Sequence, residues 1–316
     1  MPRRAIVLMS LGAPDRLEAV RPFLYNLFND PAIIRLPGLL RQPLAWLIAN
    51  RRAAVALDIY SHLGGGSPLL QNTEAQARAL ETALGDGSRC FVAMRYWNPL
   101  SAETAAAVKA WAPAEIVCLP LYPQYSTTTT ASSLSAWRRA TVQQGLDCPM
   151  RTIESYPTAR GFIAALAGLI APMLDKASKE CGSVRLLLSA HGLPLKTVQG
   201  GDPYPAQIAE TAAAIIAALA RPDLDWTVCY QSRVGPLKWL GPAADAEIRR
   251  AGRTGTAVVI APISFVSEHS ETLVELDRDY RRIADASGVP AYYRVPTVGT
   301  DPRFIAALAA LVEGAA

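Results

Sequence analysis

Eight short apolar runs alternate with nine longer stretches of helical periodicity along this chain, and that alternation leaves few folds open to it. The runs near Ala5–Leu11, Cys90–Met94, Glu115–Leu119, Met150–Ile153, Arg185–Ser189, Trp226–Tyr230, Ala257–Ala261 and Ala291–Val295 read as buried strands. Helices are expected over Ala19–Phe28, Thr73–Leu84, Ala102–Ala110, Ser133–Gln143, Arg160–Leu174, Pro205–Ala220, Ala243–Arg250, His269–Ala286 and Asp301–Val312. Strand-helix alternation of this kind predicts an α/β fold of parallel sheets covered by helices on both faces. Eight strands fit either one barrel or two four-stranded halves. The pattern restarts near Tyr156-Pro157, which favours two halves: a first domain over 1–155 and a second over 156–316, with the last helix packing back on the first.

One region breaks the alternation. Pro31 to Ala56 is apolar, interrupted by Pro37, Gly38 and Pro43, and carries Trp46 among leucines. It is either a core helix, the default expectation, or an exposed apolar lip that meets a ligand or a membrane surface.

Composition narrows the function. The 316 residues are 51% hydrophobic and 18% charged, enough for a substantial core and unlike a disordered chain. A net charge of only +4, with no long basic run, gives no support to nucleic-acid binding. The cysteines, Cys90, Cys118, Cys148, Cys181 and Cys229, form no CxxC pair; their odd number and spacing oppose a disulfide framework or a structural zinc site and fit a reducing compartment. No signal-peptide pattern opens the sequence, and no run approaches the ~18 apolar residues of a membrane span.

The chain has three histidines, His62, His191 and His269. His191 follows one apolar run and His269 opens an acidic helix after another, at the carboxyl ends of strands where open α/β sheets bind ligands. At about 100° per residue, Glu268, Glu271, Glu275 and Asp279 fall within an arc of roughly 80°. Such a row suits a divalent cation or a proton path. It equally suits an ordinary solvated face paired with Arg278, Arg281 and Arg282.

Seven segments in order, covering nearly the whole chain, resemble the ferrochelatase family. They are Leu27-Phe28-Asn29-Asp30-Pro31, Gly64-Gly65-Gly66-Ser67-Pro68, Met94-Arg95-Tyr96-Trp97, Leu119 to Ser126, Ser189-Ala190-His191-Gly192-Leu193-Pro194, Tyr230 to Pro236, and Pro262 to His269. The resemblance implies two Rossmann-like domains with a porphyrin in the cleft between them. It implies insertion of Fe2+ into protoporphyrin IX to give protoheme, the final step of heme biosynthesis.

On this resemblance His191 and Glu271 are the catalytic pair, with His191 either ligating the metal or taking a proton; His191, Glu271, Glu275 and Asp279 are the metal-side residues, the last two continuing a path for metal or protons, on a helix widened towards π geometry. His269 and Glu268 stand behind them, orienting Glu271 or Glu275. Leu11, Arg52, Tyr60, Ser67, Arg95, Tyr96 and Trp239 match porphyrin-side positions, with core packing as the alternative for Trp239 and a solvated helix end for Arg52. Thr127 to Thr130 with Ser132 and Ser133 reads as a helix-entry loop whose hydroxyls cap backbone amides.

Leu11 stands where relatives that use coproporphyrin carry tyrosine and those that use protoporphyrin carry an apolar residue, so protoporphyrin is the expected substrate. No cysteine follows Cys229, so no [2Fe–2S] cluster is expected. The implied setting is the cytoplasm, peripheral to the inner face of the membrane through the apolar lip. Two alternatives remain open: a chelatase for coproporphyrin or another metal, and a non-catalytic porphyrin-binding protein. A nucleotide-binding protein is disfavoured by the absence of GxGxxG and Walker patterns.

Overall fold

Strand β1 (Arg4–Ser10) is buried along all but its first residue because it pairs on both sides, parallel to β2 (Ser88–Met94) and to β3 (Glu115–Pro120). β4 (Met150–Thr152) pairs with β3, giving the order β2-β1-β3-β4. The second sheet repeats this plan: β5 (Val184–His191) lies between β6 (Asp225–Gln231) and β7 (Ala257–Pro262), and β8 (Tyr292–Arg294) pairs outside β7. Every pairing is parallel. Each of the eight predicted runs is a strand, and the two-sheet α/β architecture expected from the alternation is the one observed. The computed structural model describes residues 3–233, 235 and 237–314. The chain divides into two compact units, Met1–Ser155 with Leu308–Ala316, and Tyr156–Ala307.

The first unit carries α1 (Val20–Phe28), α2 (Gly38–Ser61), α3 (Leu69–Leu84), α4 (Ser101–Trp111) and α5 (Thr130–Gln144). The second carries α6 (Arg160–Cys181), α7 (Leu195–Gln199), α8 (Tyr204–Leu219), α9 (Ala244–Arg253), a π-helix over Glu271–Asp279, and α10 (Tyr280–Ala286). The last helix, α11 (Pro302–Glu313), runs from the second unit into the first. Its final carbonyls there accept hydrogen bonds from guanidinium groups: Arg4 to Val312 O at 3.4 Å and Arg151 to Leu311 O at 3.2 Å. These cations meet the negative end of the helix dipole.

Two elements depart from expectation. α6 was expected to stop at Leu174, where apolar periodicity ends, but Asp175 to Glu180 extend it to Cys181 before Gly182 turns the chain at φ 74°. At 22 residues α6 is long and apolar enough to cross a membrane, unlike anything read from the sequence. It instead buries Phe162, Ile163, Leu166, Ile170 and Leu174 within its unit.

The second departure is α2, which is not a core helix. Its buried residues are Ala45, Ala49 and Ala53, a stripe at i, i+4 and i+8, and Tyr60; Ala49 and Tyr60 pack with Val20, Phe23 and Leu24 of α1. The large apolar side chains point the other way: Leu39 is 90% exposed, Trp46 62% and Val55 63%. Over Leu39 to Val55, alanines inward and large apolar side chains outward reverse the ordinary amphipathic pattern.

At the start of α6, a Cβ on Gly161 would lie 2.1 Å from the Arg303 carbonyl oxygen and 2.9 Å from the Ala307 Cβ of α11. Backbone against backbone leaves no flexible atom to yield. Gly161→Ala is expected to lose about 1–3 kcal/mol through this overpacking, outweighing the ~1 kcal/mol that alanine gains in helix propensity. Thermal unfolding of the variant should therefore begin several degrees below that of the parent chain, about 2–4 °C per kcal/mol.

Candidate active site

The connection from β5 goes to β6 on one side of the sheet, while β7 lies on the other, so the chain leaves the carboxyl ends of β5 and β7 in opposite directions. That divergence opens a crevice at the top of the sheet. His191 is the last residue of β5. Its backbone N–H donates to Ser264 Oγ (3.1 Å) in the loop after β7. Gly192 follows with its N–H on the Gln231 carbonyl (2.9 Å), and a Cβ there would sit 2.9 Å from that oxygen and 3.4 Å from the Trp239 ring. Only glycine lets the strand ends close beneath the histidine.

The expected acidic helix is a π-helix from Glu271 to Asp279, and the Tyr280 N–H donates to the Glu275 carbonyl five residues back. Glu271, at its first position, points Oε2 at two imidazoles: His191 Nδ1 at 3.1 Å and His269 Nε2 at 3.5 Å. Nδ1 of His269 lies 3.0 Å from the Ser267 carbonyl, which only accepts, so that nitrogen carries a hydrogen. Phe265 fills the space between the two rings, with centroids 6.3 Å from His191 and 4.5 Å from His269.

Burial pushes the Glu271 carboxyl up, but the charge and hydrogen bond of His191, joined by His269, prevail and hold it well below the ordinary carboxylate range. Burial lowers His191, yet the Glu271 charge and hydrogen bond and the nearby Glu275 charge raise it above its ordinary value. The His191 and Glu271 side chains remain 37% and 28% exposed, so the pair is open to a ligand.

Glu275 is held differently. Oε1 accepts the Ser232 N–H (2.7 Å) and the Tyr280 hydroxyl (3.0 Å); Oε2 accepts the Ser232 hydroxyl (2.5 Å) and Gln231 Nε2 (3.2 Å). Ser232 reaches this position with φ 59°, a left-handed conformation rare outside glycine. Burial and the Glu271 charge raise Glu275 against these donors. Two carboxylates four residues apart are thus pushed in opposite directions, a pattern that separates the proton-holding group from the ionised one.

Glu268 turns away from the pair: its Oε1 accepts Arg294 Nη1 (2.5 Å) and the Thr297 N–H (2.9 Å). Glu268 is thus engaged by Arg294 and Thr297, whereas His269 reaches Glu271. Asp279 closes the π-helix half-exposed. Among the described residues, no three His, Cys, Asp or Glu side chains converge as a metal-binding group.

Trp239 packs on Gly192 beside His191, fixed by a bridge between Pro194 and Trp239. The other expected residues belong to the first unit. Leu11 follows β1 and packs with Tyr60, Phe23 and Val20; its carbonyl accepts the Tyr96 N–H (2.9 Å). Arg52 stands 5.9 Å over the Phe28 ring, and burial lowers its guanidinium. Ser67 Oγ accepts the Leu69 N–H (3.3 Å) at the start of α3.

Arg95 and Tyr96 converge on a residue to which no role was assigned. Asp30 Oδ2 receives Arg95 Nη2 (2.7 Å), the Tyr96 hydroxyl (2.7 Å) and the Ser132 hydroxyl, and Oδ1 receives the Ala32 N–H (2.8 Å). Tyr96 has no exposed surface, so it supports Arg95 from the core and presents nothing to a ligand. Ser132, expected to cap a helix, spends its hydroxyl on Asp30 instead. Asp30, Gln231, Ser232 and Phe265 all lay inside segments quoted for the resemblance. Arg294 had its own signal, a lone cation in an apolar strand run.

The Ferrochelatase family model matches residues 3–316. The chain belongs to the ferrochelatase family. It is accordingly an enzyme of heme synthesis that inserts iron into a porphyrin. It is 54% identical over 314 residues to a ferrochelatase of Caulobacter vibrioides strain NA1000, covering 98% of this chain and 89% of that one. It is 55% identical to a ferrochelatase of Phenylobacterium zucineum (98% and 91% covered) and 47% identical to one of Wolbachia from Drosophila simulans (98% of each). Among solved structures, the sirohydrochlorin chelatase SirB of Bacillus subtilis subspecies spizizenii in complex with cobalt matches with a TM-score of 0.57 and 12% identity, covering 99% of this chain and 95% of that one, a likeness of fold.

Burial pushes the Asp30 carboxyl up, but Ser132, Ala32, Tyr96 and the Arg95 charge together hold it below the ordinary range. Its stabilising contribution is thus present above the unfolded value of about 3.8 and lost only as pH falls through the lower folded value. Asp30→Ala should cost about 3–5 kcal/mol by stranding Arg95, by an amount that stays constant from about pH 5 to 8. Chemical denaturation across that range, with Arg95→Ala and the double variant, checks the coupling; the double should lose less than the sum.

Proposed function

We propose that this chain inserts Fe2+ into protoporphyrin IX, with His191 as proton acceptor and Glu271 as its partner. The observation that carries the roles is the 3.1 Å contact between His191 Nδ1 and Glu271 Oε2 at the open end of β5. Nδ1–H directed at the carboxylate leaves the Nε2 lone pair to accept a pyrrole proton. The imidazolium then formed gains the charge of Glu271 beside it. In the overall step two pyrrole N–H bonds break, four Fe–N bonds form, two protons leave, and no electron is transferred.

Glu275, raised where Glu271 is lowered, is the group next along the row to carry a proton, with Asp279 at its outer end. Both also stand as oxygen ligands for the incoming metal, whose handling need only be transient. Arg52, Tyr60, Ser67 and Arg95 serve the propionate side and Trp239 the ring beside His191. Leu11 favours the apolar-edged protoporphyrin over coproporphyrin.

The reading includes no iron–sulfur cluster. The five cysteines are free thiols, and burial pushes the Cys118 thiol up to about 12, away from the thiolate a cluster requires. We place the enzyme in the cytoplasm, peripheral to the membrane through α2. Leu39, Leu40 and Trp46 face outward beside exposed Arg35 and Arg51, a pattern suited to an anionic lipid surface.

Anaerobic mixing with protoporphyrin IX and Fe2+, followed by porphyrin absorbance, tests the reaction. Tight porphyrin binding without metal insertion would favour a binding protein instead. His191 must be neutral to accept a proton, and its folded value lies above the ordinary ~6.5. Activity should therefore climb with pH through an apparent value above ~6.5, and Glu271→Gln should move that limb to lower pH while slowing turnover by about 10²-fold or more.

For the membrane contact, replacing Leu39, Leu40 and Trp46 together by serine should lower binding to anionic vesicles at least about tenfold, by removing apolar burial. The thermal midpoint should hardly move, since these side chains are already solvated. Equal vesicle binding by parent and variant would refute the contact.

A further inference from the structure

A π-helix of nine residues needs a cause, because the i→i+5 turn is rare and ordinarily limited to a single bulge. The local sequence, Glu-Thr-Leu-Val-Glu-Leu-Asp-Arg-Asp, is a modest helix former at best, with two β-branched residues and two aspartates. That explains weakness, not register. The register is imposed from outside. Three backbone carbonyls of the segment are engaged sideways by side-chain donors: Glu271 O by Gln231 Nε2 (3.0 Å), Leu276 O by the Tyr292 hydroxyl (2.7 Å) and Asp277 O by Arg281 Nε (3.3 Å). A donor inserted at a helix carbonyl competes with the i+4 N–H and opens the turn.

Tyr292 lies on β8, and a further holding group, Arg294, lies on the same strand. Tyr292 and Arg294, two residues apart, share one face of the strand. Arg294 forks onto Asp277, with Nε to Oδ1 at 3.0 Å and Nη2 to Oδ2 at 2.6 Å, and its third nitrogen takes Glu268 at 2.5 Å. The guanidinium thus ties Asp277 in the π-helix to Glu268, three residues before the helix begins. Arg281 completes the frame: Nη1 donates to the Tyr292 carbonyl (3.1 Å) and the cation lies 5.2 Å over the Tyr292 ring.

We infer that Tyr292 and Arg294 are positioning residues that hold Glu271–Asp279 in π register and thereby aim the acidic row. The consequence follows from helix geometry. An α-helix advances about 100° per residue and a π-helix, with roughly 4.4 residues per turn, about 82°. Relaxation to α geometry would swing Glu275 by about 70° and Asp279 by about 145° relative to Glu271. Glu271 would keep His191, while the rest of the row would turn elsewhere. The effect falls on which divalent ion the row handles, and this part rests on the ferrochelatase reading of the site.

The test uses Arg294→Met, which keeps the stem and removes the fork, and Tyr292→Phe, which removes a single hydroxyl. The second carries the test if the first fails to fold. Hydrogen exchange of the amides of residues 274–280 reads the register, and insertion of Fe2+ against Zn2+ into one porphyrin reads its consequence. Expected are faster exchange confined to that segment and a change of about fivefold or more in the Fe2+ to Zn2+ ratio of kcat/KM, with the porphyrin KM within about twofold. Arg294→Lys, which cannot fork, should not restore the ratio. Unchanged exchange, or an unchanged metal ratio in folded variants, overturns the inference. A parent chain that inserts neither metal would refute the ferrochelatase reading instead, and the exchange result would still decide the register.

Discussion

Everything at the candidate site depends on one carboxylate with two imidazoles to answer. The ionised form of Glu271 is favoured against burial by His191 and His269, which stand 3.1 and 3.5 Å from the same oxygen. Remove that attraction and burial alone would favour a neutral acid. The fold secures the geometry from two directions. β5 delivers His191 at its carboxyl end, and the loop after β7 delivers Glu271 from the opposite side of the divergence. Neighbouring strands of one parallel sheet thereby present a base and its counter-charge without any sequence neighbourhood between them.

The second acid shows how little spacing says about role. Glu271 and Glu275 are one turn apart on one helix, yet one meets histidines and the other meets four hydrogen-bond donors. The difference is made by β6, whose final Gln231 and the strained Ser232 wrap the second carboxylate. Ser189, fully buried, donates to Gln231 Oε1 (2.7 Å) and so fixes which end of that amide faces the acids.

Much of this was legible in the sequence. The eight strands were, since a buried parallel strand is a run of apolar residues wherever it occurs. The acidic row and the two site histidines were, because charges and imidazoles at strand ends are conspicuous. The partners were not. Asp30 gave no sign that it would gather Arg95, Tyr96 and Ser132, residues from distant parts of the chain. Tyr96 resembled a pocket residue and is core, because the hydroxyl that made it look polar is spent on Asp30. Between the two readings of the Pro31–Ala56 segment the sequence could not choose: apolar content argues for burial, but which side of a helix is buried depends on what it packs against. Here the cluster around α1 takes Ala49 and Tyr60, with Ala56 and Leu57 beside them, while Leu39, Trp46 and Val55 stay outside.

The alanine stripe separates two properties that most helices combine. In α2 the buried side is built from Ala45, Ala49, Ala53 and Tyr60, and at the alanines a larger side chain would overpack the contact. The outward leucines and Trp46 contribute almost nothing to that contact. Evolution can therefore rewrite the outer surface of α2, from greasy to polar and back, without renegotiating the fold beneath it. The inner stripe has no such freedom. Variation along this helix should be restricted at the buried positions and widest at exposed ones such as Leu39, Trp46 and Val55.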